Sequence, residues 1–350
     1  MRSRQTAASV AGVPSICLPG SWAEPDTHLR TLLHHPWYKI LVQLIDEICY
    51  ATVVFYREKS IRSIFAPVTT GSISSPMGKG SDSLPVRALI ANRATYLADS
   101  MQFMLEVGTR IHLPGAYYIG CSFRGEDVDE RHLCQFAHSE VEICGGFDDI
   151  ISLAEQYIYF LTRHLYEHCA ESIYSVAGDV CHLERCIALG GHFRRIRFTE
   201  AMSALGSNSE YFREVVAGGW SITQAGEKRL LQEAGEAIWL THLPRLTSPF
   251  YQQPDGETPY CLSADLLMGQ GEVLGSGARC RDEQTLLASL QFHEVNPEDY
   301  GWYLEMKRTM PVQTAGFGLG LERFLLWLTK TSDIREMTLC LRDNERTLVP

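Results

Sequence analysis

Arg323 follows a run of alternating glycines, Gly316-Phe317-Gly318-Leu319-Gly320, and precedes apolar residues at helical spacing, Leu321, Phe324, Leu325 and Leu328. This places an arginine at the start of a buried helix that follows a strand. A helix N-terminus suits anions, and a guanidinium stays charged and matches phosphate geometry. The glycines leave backbone open to a flat ligand, although the same pattern also serves plain packing. Residues 135–143 alternate, with Phe136, His138, Glu140 and Glu142 on one face and Ala137, Ser139, Val141 and Ile143 on the other. The second set reads as the core face. Carboxylates on the first face call for a cation, a substrate amine or water, and the ring can stack on a base. Asp265 and Glu272 flank a hairpin turn and can face each other across two strands, a pairing of hard oxygen ligands suited to Mg²⁺ on a nucleotide. Arg279 lies an odd number of residues beyond Glu272, so regular pleating puts it on the opposite face; a bulge at Gly275 or Gly277 would bring it back. Two Cys/His groups, Cys181, His182, Cys186 and His192, and His164, His168 and Cys169, lack the spacing of a zinc site.

These residues need elements to hold them. Residues 1–35 show little periodicity and read as an irregular extension, followed by a long helix from His35 to Tyr56 on Ile40, Leu41, Leu44, Ile45 and Ile48. A short strand-like run surrounds Pro67, and the glycine- and serine-rich segment from Thr69 to Ser83 reads as a mobile loop. Strand-like stretches cover Ala94 to Glu106, Tyr117 to Arg124 and Gln135 to Ile143, and a helix spans about 150–172. The region 176–250 reads as a less regular, insertion-like part. Strands return at Tyr260 to Met268 and Glu272 to Arg279, with a helix at Asp282 to Phe292. Strands from both halves with helices around them predict an α+β fold built on an antiparallel sheet.

Composition narrows the function classes. The 350 residues are 45% hydrophobic and 21% charged, a globular balance with enough apolar material for a large core. A net charge of -11 offers no broad basic footprint and weighs against nucleic acid as the main partner. Eleven scattered cysteines in a chain this large point to reduced thiols and a cytoplasmic setting, with no signal peptide or membrane span.

In order along the chain, the motifs resemble the class II aminoacyl-tRNA synthetase catalytic domain, in the subgroup for aspartate, asparagine and lysine. Pro67 sits where motif 1 has its proline. Tyr96 to Glu106, Tyr118 to Glu126, Arg131 to Leu133, and Phe136 with Glu140 to Glu142 resemble motif 2 and its approach. Asn296 to Glu305, Gly316 to Arg323 and Ile334 to Glu336 resemble motif 3 and its surroundings. The likeness covers about residue 36 to the C-terminus, which it implies is one catalytic domain, 36–350. It further implies a bent ATP with Mg²⁺, and a homodimer through the motif 1 helix. By position, Arg124 would hold the α-phosphate, Glu126 the adenine amine and Phe136 one face of the base, while Arg323 would stack from the other side or pair with the γ-phosphate. Arg131 and His132 would lie near the outer phosphates, and Asp265 and Glu272 would hold the metal. Gln102 and Glu140 would read the α-amino group and Arg279 the substrate side chain.

Departures from the family pattern shape the expected function. Only about 35 residues precede the motif 1 helix, too few for the anticodon-binding OB domain of the subgroup. Gln135 stands where the family has Glu, Thr314 where it has His, and Leu105 where aspartate enzymes have Lys. The expectation is therefore an AMP-forming ligase that activates aspartate or a close analogue and passes it to ammonia or another amine, as asparagine-synthetase-like paralogues do. tRNA is an unlikely partner in this reading. The alternatives are a truncated synthetase paralogue charging a tRNA or carrier protein, and a non-catalytic regulator that binds amino acid or ATP.

Overall fold

The computed structural model describes residues 13–74, 84–343, 345–346 and 348. Two helices come first, Pro25–His34 (α1) and Pro36–Glu58 (α2), each opening on a proline where the missing N–H costs nothing. α2 buries Trp37, Leu41, Leu44, Ile48, Ala51 and Phe55 along one stripe. Arg62–Ser63 (β1), Thr69–Thr70 (β2), Val86–Ile90 (β3), Arg93–Leu97 (β4) and Gln102–Ile111 (α3) lead to the long pair Gly115–Phe123 (β5) and Gln135–Cys144 (β6). Phe147–Ala177 (α4) and Cys181–Ala188 (α5) follow, then Arg194–Arg197 (β7), Phe198–Leu205 (α6), Phe212–Val216 (β8), Gly219–Ile222 (β9), Gln224–Ala234 (α7) and Ala237–Thr241 (β10). The chain closes with Ser263–Met268 (β11), Gly271–Ala278 (β12), Glu283–Phe292 (α8), Gly301–Thr309 (α9), Thr314–Gly320 (β13) and Leu321–Thr329 (α10).

Eight strands form one sheet in the order β1-β5-β6-β13-β12-β11-β10-β7. Neighbours from β5 to β10 are antiparallel, and only the end pairs, β1 with β5 and β10 with β7, run parallel. This is the expected α+β architecture. Alternation sends Val141, Ile143, Ala315, Phe317 and Leu319 into a core shared with α2, α4 and α10. The Tyr157 hydroxyl of α4 ties the layers together, bonded to Thr52 of α2 at 2.6 Å and to Ser139 of β6 at 2.9 Å. Because one face is committed to the core, the other face of the same strands carries the polar residues.

Several expectations change. The stretch read as an irregular extension contains α1, and residues 1–12 lie outside the described residues. The strand predicted for Ala94 to Glu106 ends at Leu97, and Gln102 opens a helix whose buried face, Phe103, Leu105 and Glu106, has helical spacing. Residues 64–68 around Pro67 are not strand, and the two-residue strands Arg62–Ser63 and Thr69–Thr70 flank them. Of the segment read as a loop, Thr69–Thr70 pairs with β4, Ser74 caps the Asp99 carboxylate at 3.1 Å, and 75–83 lie outside the described residues. The less regular middle, 176–250, is well structured: α6, α7, β7 and β10 enclose a second apolar core of Ile196, Phe198, Leu230, Leu231 and Leu240. Its short elements are too brief for a clear period. All eleven cysteines are unpaired. Among the described residues, no helix is long and apolar enough to cross a membrane.

Candidate active site

The polar face of the sheet is a row of acids beside a floor of glycines. Opposite His138, Glu140 and Glu142 of β6 stand Gly320, Gly318 and Gly316 of β13, and beyond them Gly275 and Gly277 of β12. The glycines make room for side chains of neighbouring strands. A Cβ on Gly316 would collide with Glu142 Oε2 and lie 2.7 Å from Arg279 Nη2, and one on Gly318 would lie 3.3 Å from Glu140 Oε1. Gly316 thus accommodates an ion pair, a finer job than the open backbone inferred from the run alone.

Arg279 reaches this face because β12 is irregular, and the irregularity differs from the expected one. The register with β11 slips between Leu266↔Leu274 and Leu267↔Glu272, so the extra residue is Val273, with neither Gly275 nor Gly277 bulged. Val273 is buried in the core, which makes the bulge the way Glu272 and Arg279 come to share a face. Arg279 donates from Nε and Nη2 to Glu142 at 3.1–3.2 Å and from Nη1 to Gln252 Oε1 at 3.1 Å. Glu142 is fully buried, and the pair raises the Arg279 pKa above its ordinary value. A second buried ionic group lies behind it: Glu106 accepts from Lys307 at 2.6 Å, Arg110 at 3.3 Å and Thr314 at 3.2 Å, and bonds Tyr303.

Two cavities open on the face. The inner one, about 340 Å³, is lined by Gln102, Glu140, Glu142, Tyr251, Gln252 and Arg279. The outer one, about 750 Å³, is lined by Glu126, Arg131, His132, Phe136 and Arg323. They meet at Arg124, His138, Asp265, Glu272 and Gly318, which line both. All eleven residues singled out in the sequence therefore line one or both cavities. Glu140 accepts from Ser100 Oγ at 2.6 Å and Met101 N at 2.7 Å; burial pushes its carboxyl up to about 7 against those two bonds. Gln102 is buried, its Nε2 3.5 Å from Glu106 Oε1.

At the junction, Arg124 Nε is buried without a hydrogen-bond partner among the described residues, and its guanidinium lies 5.5 Å from the Phe136 ring. Burial, then Arg124, then Arg323 depress the His138 pKa to about 3, so this imidazole is neutral at pH 7. Asp265 and Glu272 converge above Gly275, where a Cβ would lie 3.1 Å from Glu272 Oε1 and 3.6 Å from Asp265 Oδ1. Burial and Glu272 push Asp265 well above the carboxylate range. A partly buried carboxylate pair of this kind is relieved by a divalent cation, so donor chemistry and the Arg124 Nε without a hydrogen-bond partner both fit a nucleotide carrying Mg²⁺. Among the described residues no three acids, histidines or cysteines form a ready-made metal site. Arg323 donates to the Glu272 carbonyl at 2.9 Å and lies 3.4 Å from its carboxylate. Glu126 Oε1 accepts from Leu84 N at 3.2 Å, and His132 is exposed against Asp129 at 3.0 Å.

Other residues escaped the sequence reading. Glu227 of α7 stands 3.7 Å from Arg131, and burial beside Glu272 pushes it up to about 7. Trp220 and Thr223 also line the outer cavity. No local pattern marks them, because they belong to short elements brought in by the second core. Gln252, on the inner cavity, lies outside any helix or strand whose period could mark it.

A sheet of this topology, with an arginine at the meeting point of an amino-acid-sized and a nucleotide-sized cavity, defines a class II synthetase catalytic domain. The family model described as tRNA synthetases class II (D, K and N) matches residues 31–342, and the chain belongs to that family. It is similar to an asparagine–tRNA ligase of Symbiobacterium thermophilum, 28% identical over 305 residues that cover 85% of this chain and 68% of the relative. Its fold is similar to asparaginyl-tRNA synthetase from Pyrococcus horikoshii complexed with asparaginyl-adenylate, at TM-score 0.83 and 24% identity over 93% of this chain and 73% of that one. It also resembles aspartyl-tRNA synthetase from Entamoeba histolytica, at TM-score 0.73 and 20% identity, over 93% and 63%. As a member of this family the chain is an ATP-dependent ligase with amino-acid-activating, class II architecture. The expectation that tRNA is an unlikely partner finds no support in these relatives.

Proposed function

We propose that the chain activates the α-carboxylate of an asparagine-type amino acid on ATP, giving aminoacyl-AMP and pyrophosphate. The observation that carries this reading is the unpartnered, buried Arg124 Nε where the two cavities meet. A carboxylate oxygen attacks the α-phosphorus there, a P–O bond to the substrate forms, and the bond to the β-phosphate oxygen breaks. Charge builds on the α-phosphate oxygens, and Arg124 offsets it. Phe136 and Glu126 hold the base, and pyrophosphate departs toward Arg131, His132 and Arg323. Asp265 and Glu272 would hold Mg²⁺, which supplies charge neutralisation on phosphate. The chemistry rests on positioning and electrostatics, with no protein base.

At the side-chain end of the inner cavity Arg279 is held by Glu142, and behind it Glu106 holds both Lys307 and Arg110. A neutral amide suits that end, its oxygen accepting from Arg279 and its NH₂ donating to Glu142. Aspartate would bring a second carboxylate beside Glu142; like charges about 4 Å apart cost about 4 kcal/mol at an effective dielectric of 20. This moves the expected substrate from aspartate toward asparagine. Glu140 and Glu142 are two residues apart on one face, about 6.6–6.8 Å along the strand, the reach from the ammonium of a short amino acid to its side-chain tip. In this seating, making asparagine from aspartate and ammonia requires the substrate reversed.

The acceptor is tRNA, as the relative's name says of it, or ammonia or another amine, as the sequence suggested. Amino-acid-dependent pyrophosphate exchange tests activation, and mass spectrometry of products with total tRNA, ammonium and candidate amines identifies the acceptor. Absence of exchange with every amino acid, alongside retained ligand binding, would favour the regulator.

Two outcomes follow from single groups. Ionised Glu140 is the form that takes the substrate ammonium, so kcat/KM for the amino acid is expected to rise with pH through about 7. Glu140→Gln should flatten that rise and lower the plateau. Asp265→Asn is expected to raise the Mg²⁺ concentration needed for half-maximal exchange about tenfold or more, measured by magnesium titration at saturating ATP.

A further inference from the structure

Gln252 closes the far end of the inner cavity, and the readings above give it no role. It is 8% exposed, and its Oε1 accepts from Arg279 Nη1 at 3.1 Å. The amide lies across Gly277, where a Cβ would strike Oε1 and come within 2.8 Å of Cδ and 3.0 Å of Nε2. Its main chain is anchored independently of that side chain. Gln252 and Arg279 form an antiparallel bridge, Gln253 N donates to Ala278 O at 2.8 Å, and Cys280 N donates to Tyr251 O at 2.9 Å. The Arg279 guanidinium is therefore clamped on two sides, by Glu142 and by Gln252.

We propose that Gln252 is a length gauge, setting the cavity for a four-carbon amino acid and excluding its five-carbon homologue. The inference rests on the substrate seating proposed above. Glu140 fixes the ammonium end, and clamped Arg279 cannot recede at the other. A five-carbon amide carries one more methylene, so its tip must displace the guanidinium from Gln252 or leave the ammonium short of Glu140. Removing the Gln252 side chain bares Gly277 and frees Nη1, giving the guanidinium somewhere to move. Because the backbone is held by its own hydrogen bonds, truncation opens space without dislodging the strand.

The test measures asparagine and glutamine in pyrophosphate exchange with the full chain, for wild type, Gln252→Ala and Gln252→Glu. One methylene in a fitted pocket is worth about 10–200-fold. Wild type is expected to favour asparagine. Gln252→Ala should lower the asparagine-to-glutamine ratio of kcat/KM about tenfold or more, while Gln252→Glu, which keeps the shape and the bond to Arg279, should retain the wild-type ratio. An unchanged ratio in Gln252→Ala overturns the gauge, even if both rates fall together, since that is what mere support of Arg279 would produce. Calorimetric binding of both amino acids to the same variants reads the ratio without chemistry. Wild type that binds asparagine but shows no exchange overturns the activation reading while the binding ratio still judges the gauge; wild type that binds neither overturns both.

Discussion

Arg124→Gln is expected to lower amino-acid-dependent pyrophosphate exchange about 10³-fold, mostly in kcat. Removing one preorganised neutral donor from a developing oxyanion costs about 10²–10³. Arg124 brings a full charge, and its Nε is already buried without a protein partner, so no internal bond must break when phosphate arrives. It also lines both cavities, within reach of both groups proposed to react. Arg124→Lys should recover part of the loss, because it restores a charge without the planar fork. Neither change should lower Tm appreciably, since the Arg124 Nε makes no hydrogen bond among the described residues. A mutant with normal kcat and impaired KM for ATP alone would mean that Arg124 only binds nucleotide.

Arg279→Leu is expected to hit stability and specificity together. It strips Glu142, a fully buried carboxylate, of its partner, and breaking a buried pair on one side costs about 3–5 kcal/mol. Thermal unfolding should drop by roughly 5–15 °C. The paired change Arg279→Leu with Glu142→Leu should recover most of that stability, because no charge is left uncompensated, and should still show no asparagine-dependent exchange. The double variant separates folding from recognition: recovery of exchange along with stability would remove Arg279 and Glu142 from the site.

Much of the site was legible because its signals are short. Period-two alternation along residues 135–143 divides the polar face from the core face within one strand, and the structure keeps that division at buried Val141 and cavity-lining Glu142. Asp265 and Glu272 are joined by a tight turn, so their convergence follows from local hairpin geometry. The junction at Gly320 and Leu321 likewise lies within a few residues of Arg323. Alternation also misled where it was weak: the run from Ala94 to Glu106 mixes apolar residues at both spacings, and tertiary packing of Phe103 and Leu105 decided for helix beyond Gln102.

By itself, the sequence determined which residue types line the cavities, where the strand–helix junction falls, and the family to which the chain belongs. These depend on spacing along the chain. The tertiary structure decided which charges find partners. Glu142 meets Arg279 across 137 positions, and Lys307 meets Glu106 across 201. Gln252 reaches Arg279 through a bridge between strands, and the Val273 bulge turns Glu272 and Arg279 onto one face. Those pairings set the charge and length of the inner cavity, and both are sums over side chains distant in sequence. A carboxylate's effect on a ligand depends on the cation beside it, and only the folded chain chooses that neighbour.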